Sequence, residues 1–328
     1  MDKLIELFSE QLIEALSIGK ANSFRNPDRE WRNVVVSGLG GSGIGGTIVQ
    51  NYVTPTLPVP FVVNKTYDLP AFAGAYSLVI ICSYSGNTEE TISAFQQALE
   101  RDAFVVCITS GGRIAEMAAE HRVPCFKIPG GMPPRACLGY SLVQVLFALH
   151  YAGLTDDRFV EEINKAITLL QQNKEGLKQT ATGLAQKAYG KLPVIYAGCR
   201  MEGVAVRWRQ QLNENSKLTA WENVVPEMNH NELVGWKDVA EDKAVFFLHS
   251  GSDHPQVKTR MGINKTIIER CTGNVLDVEA MGGSYWEQAF SLIHIGDWLS
   301  WYLADLRQVD AMEVKVIDYL KKELAGDR

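Results

Sequence analysis

Ser77-Leu78-Val79-Ile80-Ile81-Cys82-Ser83-Tyr84-Ser85-Gly86-Asn87-Thr88-Glu89-Glu90-Thr91 is the stretch on which the fold turns. Its first six residues have the length and β-branched content of a buried parallel strand. The next residues form a hydroxyl-rich loop, and a helix is expected to start near Thr88. A loop at the carboxyl end of such a strand lies where open α/β sheets bind ligands. The helix that follows would aim free backbone N–H groups and a positive dipole end at an anion. The hydroxyls of Ser83, Ser85 and Thr88 add donors, and Gly86 lets the backbone come close. A plainer account also fits, in which Asn87 or Thr88 caps the helix and Glu89 and Glu90 favour its first turn.

Working outward, apolar strand-like runs alternate with helical patterns, so the chain is read as α/β with doubly wound parallel sheets. Five strands are expected at Val34–Ser37, Phe61–Val63, Leu78–Cys82, Phe104–Ile108 and Cys125–Ile128, and a buried helix from Tyr140 to Ala152 closes this half. From about Asp156 to Gly190 the chain turns polar and helical, as a linker would. Further strands are expected at Val194–Ala197, Ala244–His249 and Asn274–Val278, a diverged echo of the first half. The domains are drawn at 1–154 and 155–328, with the helical linker opening the second.

Composition narrows the function classes. The 328 residues suffice for two domains, and 46% apolar with 21% charged residues fits a soluble globular protein. The net charge of −6, with no basic run, argues against a nucleic-acid partner. The six cysteines sit mostly within or beside apolar segments, with no C-x-x-C pair, and are expected to be reduced thiols. The acidic amphipathic start is unlike a signal peptide, and the longest apolar stretch, Leu142–Leu154, is too short to span a bilayer. No membrane association and a cytoplasmic location are therefore expected.

Gly38-Leu39-Gly40-Gly41-Ser42-Gly43-Ile44-Gly45-Gly46 follows the first strand and matches G-x-G-x-x-G. A nicotinamide site wants an acid at the end of the second strand, whereas Asn64-Lys65 stands there; the lysine leaves a 2′-phosphate reading open. The other reading packs this loop against a sugar, with Gly41 and Gly43 giving room and backbone donors. Tight helix-on-strand packing without a ligand is a third.

Three polar clusters are candidates for chemistry. Glu214 lies in Asn213-Glu214-Asn215-Ser216-Lys217 after an amphipathic helix, and His230 lies in Asn229-His230-Asn231-Glu232. Either would be an ordinary surface residue in isolation. Together they suit aldose–ketose isomerisation, which needs a base to move a proton between C1 and C2 and a second group to open the ring. The enediolate between the two transfers is anionic, so a cation should lie near it. Arg135, held by Pro133 and Pro134, is the candidate, although arginines after strands are as often plain surface charges.

The loop Ser83–Thr91 resembles the phosphate loop of sugar isomerase (SIS) domains. With Gly38–Gly46, Met132-Pro133-Pro134-Arg135, Asn213–Lys217 and Asn229–Glu232 in order, nearly the whole chain resembles the bifunctional phosphoglucose/phosphomannose isomerase family. That resemblance implies two flavodoxin-like SIS domains and interconversion of glucose 6-phosphate, and of mannose 6-phosphate, with fructose 6-phosphate, without metal or organic cofactor. It places the proton-transfer base on Glu214, the ring-opening histidine on His230 and the enediolate-stabilising arginine on Arg135. Ser42, Ser83, Ser85 and Thr88 match the phosphate contacts. A C-terminal lysine that assists ring opening falls on Lys321, with Lys322 adjacent. The family is dimeric, so a homodimer is expected, with His230 reaching the partner's site. Members often carry Pro or Thr ahead of the final helix, where this chain reads Val309-Asp310-Ala311-Met312-Glu313-Val314; use of the C2 epimer depends on this region. A phosphosugar-sensing SIS protein would keep the loop without the proton-transfer groups, and an aminotransferase-type isomerase would bring a glutaminase domain for which no segment is left.

Overall fold

The computed structural model describes residues 1–326. Its elements, in chain order, are α1 (Asp2–Glu6), α2 (Phe8–Ala21), β1 (Asn33–Ser37), α3 (Gly40–Val53), β2 (Phe61–Asn64), β3 (Ser77–Cys82), α4 (Glu89–Glu100), β4 (Phe104–Thr109), α5 (Gly112–His121), β5 (Cys125–Lys127) and α6 (Leu138–Tyr151). The second half holds α7 (Arg158–Gln172), α8 (Lys174–Ala188), β6 (Leu192–Gly198), α9 (Glu202–Glu214), β7 (Trp221–Val225), β8 (Lys243–His249), α10 (Pro255–Ile268), β9 (Val275–Glu279), α11 (Tyr285–Leu306) and α12 (Lys315–Gly326). Both sheets are entirely parallel, in the orders β2-β1-β3-β4-β5 and β7-β6-β8-β9. The two sheets are thus doubly wound α/β in the flavodoxin sense, each with its order reversing between its first and third strands.

The sequence accounts for this locally. β3 is buried along its whole length, which its unbroken apolar run requires of a central parallel strand. α4 buries Thr91, Ala94, Phe95 and Ala98, the i, i+3, i+4, i+7 stripe of an amphipathic helix. α11 is buried nearly all round, from Tyr285 through Ala304, and its start is fixed by a reciprocal capping box between Ser284 and Glu287. It is core, as its apolar composition suggests, and it passes so close to α9 that a Cβ on Gly296 would lie 2.3 Å from Trp208 Nε1.

One apolar core runs through both halves, joining α2, α6, α7, α8, α9 and α11. The polar segment expected to act as a linker is the helix pair α7 and α8, whose apolar stripes pack on α11. β7 is a strand that the sequence pattern does not announce. It is an edge strand carrying Glu222 and Asn223, and only Val225 is fully buried, so it lacks the apolar run of its neighbours.

Candidate active site

The reversal point of the first sheet lies between β1 and β3, and both glycine- and hydroxyl-rich loops leave the sheet there. They touch at once: a Cβ on Gly38 would lie 2.9 Å from the Cys82 carbonyl. Ser42, in the first turn of α3, accepts the Tyr84 N–H through its Oγ at 3.1 Å. Ser83 Oγ donates to Thr88 Oγ1 at 3.1 Å, and Ser85 Oγ accepts the Asn87 N–H at 3.3 Å. Thr88 sits at the N-cap of α4 without spending its side chain on a capping bond. Among the described residues, neither its hydroxyl nor that of Ser42 donates a hydrogen bond. Gly86 has φ +71° and backs onto Gly111, whose carbonyl would be 1.8 Å from an added Cβ, so only glycine makes this turn.

Tyr84 ties this loop to the next one. Its OH accepts the Met132 N–H at 3.0 Å, its carbonyl accepts Ser110 Oγ at 2.6 Å, and burial pushes its phenol up to about 12. Gly41 meets the same segment from α3, because a Cβ there would stand 2.7 Å from the Pro134 carbonyl. The short turn Pro134–Ala136 is thereby pinned from two sides, and it carries Arg135.

Arg135 is 4% exposed, and nearly every donor it has is spoken for. Nε donates to Asn215 Oδ1 at 2.7 Å, and Nη2 donates to the Ala311 and Met312 carbonyls at 2.7 and 3.2 Å. Nη1 faces Glu214 Oε2 at 3.5 Å. Burial pulls the guanidinium below its ordinary pKa, opposed by the neighbouring Glu214, but with an ordinary value beyond 12 it stays a cation at neutral pH. Glu214 is the last residue of α9 and its side chain is 29% exposed, so a fixed cation and a partly open carboxylate stand side by side.

Family models match residues 29–125 as a SIS domain and residues 177–324 as a bacterial phospho-glucose isomerase C-terminal SIS domain. The chain is 40% identical over 326 residues, 96% of each chain, to the bifunctional phosphoglucose/phosphomannose isomerase of Caldicellulosiruptor bescii. It is 38% identical to the Aquifex aeolicus protein of the same name, over 90% of this chain and 91% of that one. This chain belongs to the bifunctional phosphoglucose/phosphomannose isomerase family. Among solved structures, the C-terminal domain of glucosamine-fructose-6-phosphate aminotransferase from Francisella tularensis superposes with a TM-score of 0.77 at 15% identity, covering 95% of this chain and 97% of that one, which speaks to the fold.

Of the residues picked out for this isomerase family member, Arg135 and Glu214 come together, and Ser42, Ser83, Ser85 and Thr88 share the two loops at the sheet's reversal point. His230 stands beyond the end of β7, exposed, with no hydrogen-bond partner among the described residues. Its loop is held by Glu232, which accepts from Tyr196 Oη, Trp221 Nε1 and Asn223 Nδ2. Lys321 and Lys322 are exposed on α12 and form no ion pair or hydrogen bond among the described residues; the structure does not bring either to Glu214. At the end of β2, where a nicotinamide site has its acid, Asn64 bonds Ser37 and Thr66 instead.

Several supporting residues escape a reading of the sequence. Asn215 holds Arg135 and is itself held, Nδ2 donating to Ser300 Oγ at 2.9 Å. Lys217, at φ +55°, donates to the carbonyls of Glu214 and Glu313, so it and Arg135 together grip the strap Ala311–Glu313. Arg207 donates to the Arg135 carbonyl at 3.1 Å and pairs with Asp297 at 2.7 Å in the core. Only Asn215 and Lys217 had a signal, because they flank Glu214 in one polar run. A cavity of about 520 Å³ reaches Glu214 and Lys217 from the side of Val314, Val316 and Ile317, at the entry to α12.

Among the described residues no cluster of His, Cys, Asp and Glu is placed to hold a metal ion, and no helix is long and apolar enough to cross a membrane.

Proposed function

We infer that this chain interconverts glucose 6-phosphate and mannose 6-phosphate with fructose 6-phosphate through a cis-enediolate. The observation that carries the reading is the Arg135–Glu214 pair, a buried cation 3.5 Å from a partly exposed carboxylate beside a hydroxyl-rich loop at a helix start. The loops bearing Ser42, Ser83, Ser85 and Thr88 take the phosphate, with Gly41 and Gly43 giving the sugar room. Glu214 takes the proton from C2 of the open-chain aldose and returns it to C1. The charge that develops on the O1–C1–C2–O2 system meets Arg135, whose position is fixed before the reaction and costs no reorganisation during it. No redox cofactor enters this balance, since the electrons shift within the sugar.

Ring opening needs a proton donor and acceptor at O1 and O5, for which His230 and Lys321 are the candidates. His230 is exposed beside the exposed apolar residues Val234 and Val239, and α12 shows Val316, Tyr319, Leu320 and Leu324 to solvent. Those faces support a homodimer in which His230 serves the partner's site and α12 is covered. The domain division at 154/155 and a cytoplasmic setting complete the reading.

A coupled assay of each aldose 6-phosphate in EDTA tests the activity. In D2O the product is expected to carry solvent deuterium, because a proton held by Glu214 exchanges with water. Absence of turnover with both sugars would overturn the reading, and turnover without any exchange would replace the enediolate by a direct hydride shift.

A further inference from the structure

A second polar cavity, of about 380 Å³, lies between the halves of the chain, lined by Tyr52 and Thr56 from the first and Thr155, Glu162, Arg200 and Tyr285 from the second, among others. Tyr285 Oη donates to the Ile48 and Arg200 carbonyls and Thr56 Oγ1 to that of Val53, but three other polar groups of the lining have no partner. Arg200 makes no ion pair and no side-chain hydrogen bond among the described residues, and its Nε is shielded from solvent without a partner. It leans over the Tyr285 ring, 5.4 Å from the centroid. Thr155 Oγ1 and Glu162 Oε2 are likewise shielded and unpartnered, while Glu162 Oε1 has a long 3.4 Å bond from Tyr52 Oη. Of the other charges here, Arg158 and Asp156 satisfy each other at 2.6 Å. Burial raises the Glu162 carboxyl above its ordinary value, opposed by the Tyr52 hydroxyl and by Arg158. An ordered water would satisfy a single hydroxyl, but a guanidinium with no acceptor calls for negative charge.

The cavity sits at the far end of the two helices that build the isomerase centre. α3 carries Ser42 in its first turn and Tyr52 in its last, and α9 begins two residues after Arg200 and ends at Glu214. The helices are in close contact at Gly203, whose N–H donates to Asn51 Oδ1 at 2.8 Å and whose added Cβ would lie 2.8 Å from Ile48. At 1.5 Å per residue, the two places are about 15 Å apart along α3 and about 20 Å apart along α9. We propose that this cavity is a second binding site for a small polyhydroxylated anion, its charged end on Arg200 and its hydroxyls donating to Glu162, and that occupancy is transmitted along α3 and α9 to the isomerase centre.

Calorimetric titration of the full chain with gluconate and with glycerol 3-phosphate tests this, one probe ending in a carboxylate and the other in a phosphate. Binding of one of them is expected to weaken about tenfold in Arg200→Gln, the loss of one charge-assisted anchor, while turnover without probe stays within about twofold. In the unmutated chain the bound probe is expected to change KM for isomerisation, and in Arg200→Gln to lose that effect at the same concentration. Binding that survives Arg200→Gln but falls in Ser85→Ala belongs to the phosphate loop and overturns the proposal, as does the absence of millimolar binding by either probe. Binding at the cavity with no kinetic effect overturns the transmission. Should Arg200→Gln fail to fold, the isosteric Thr155→Val decides, since unchanged affinity there would remove the site. None of the binding outcomes depends on the isomerase reading.

Discussion

The loop after β3 and the loop after β8 occupy the same place in their two sheets, yet they spend their hydroxyls differently. Each follows the strand on the far side of the reversal point, each is rich in hydroxyls, and each leads into a helix. In Ser83–Thr88 the hydroxyls bond sparingly and Thr88 leaves its capping position unspent. In Ser250–His254 they are consumed. Ser250 Oγ donates to Gln288 Oε1 at 2.6 Å and contacts Ser252 Oγ at 2.7 Å, and His254 Nδ1 caps α10 by accepting the Gln256 N–H. Pro255 removes one more donor from that helix start. Asp253, 6% exposed, accepts the Ser250 N–H at 3.1 Å and lies so close to the β6 loop that a Cβ on Gly198 would meet it at 2.1 Å. The second loop holds its own anion. Topology offers a crevice in both sheets, and side chains decide whether it stays open.

The largest effect should come from Glu214→Gln, because the proton transfer proposed for Glu214 lies on the open loop's side of the molecule. Loss of a general base lowers kcat by about a thousandfold, with phosphosugar binding retained. Steady-state kinetics together with a binding titration check this, and near-normal turnover would leave the contrast between the two loops without a catalytic meaning.

Glycine comes next. Gly86→Ala combines φ +71° with a Cβ 1.8 Å from the Gly111 carbonyl, and should cost about 3 kcal/mol in chemical denaturation. Gly251 in the second loop would set a Cβ 3.0 Å from Gln288 Nε2, which is hydrogen-bonded to the Gly282 carbonyl and need yield only a few tenths of an ångström, so Gly251→Ala should cost about 1 kcal/mol. Equal costs would mean that the tight turn is a property of the topology and not of the ligand-binding loop.

These two glycines also show what a sequence discloses. The strands of the first sheet and the hydroxyl-rich loop after β3 were legible because apolar runs and glycine spacing are local signals. Edge strand β7 was not, since Glu222 and Asn223 interrupt its pattern. Arg135 and Glu214 were nameable singly, but their 3.5 Å approach depends on α9 returning beside the turn at Pro134–Ala136, a contact 79 residues apart in the chain. The strap at Ala311–Glu313 acts through backbone carbonyls, for which side-chain identity carries no information. His230 and Lys321 stay apart from the pair within one chain, and the roles proposed for them would require a partner subunit and a docked α12.

Smaller again is the effect of trimming single hydroxyls. The phosphate contact proposed for Ser85 would be present in ground and transition states alike, so in Ser85→Ala KM should rise about tenfold with kcat nearly constant. Ser252→Ala, its counterpart, should leave both within about twofold. A fall in kcat alone for Ser85→Ala would assign that hydroxyl to the transition state.

The subtlest difference is electrical. Burial raises the Asp253 carboxyl above its ordinary value, against the Ser250 N–H that favours the charged form. Between the ordinary and the raised value the folded chain therefore holds more protons than the unfolded chain, and stability contributed by this group falls as pH rises through that window. Asp253→Asn keeps an acceptor for the Ser250 N–H but cannot titrate. Its stability relative to the unmutated chain should increase with pH across the window. Denaturation midpoints of the two proteins from about pH 4 to 7 read this directly. Parallel pH curves would mean that the carboxylate is as well hydrated as a surface acid, and a hydrated carboxylate does not fill a crevice; the second loop would then be as open as the first, and something other than Asp253 would have to explain why Arg135 and Glu214 gather at only one of them.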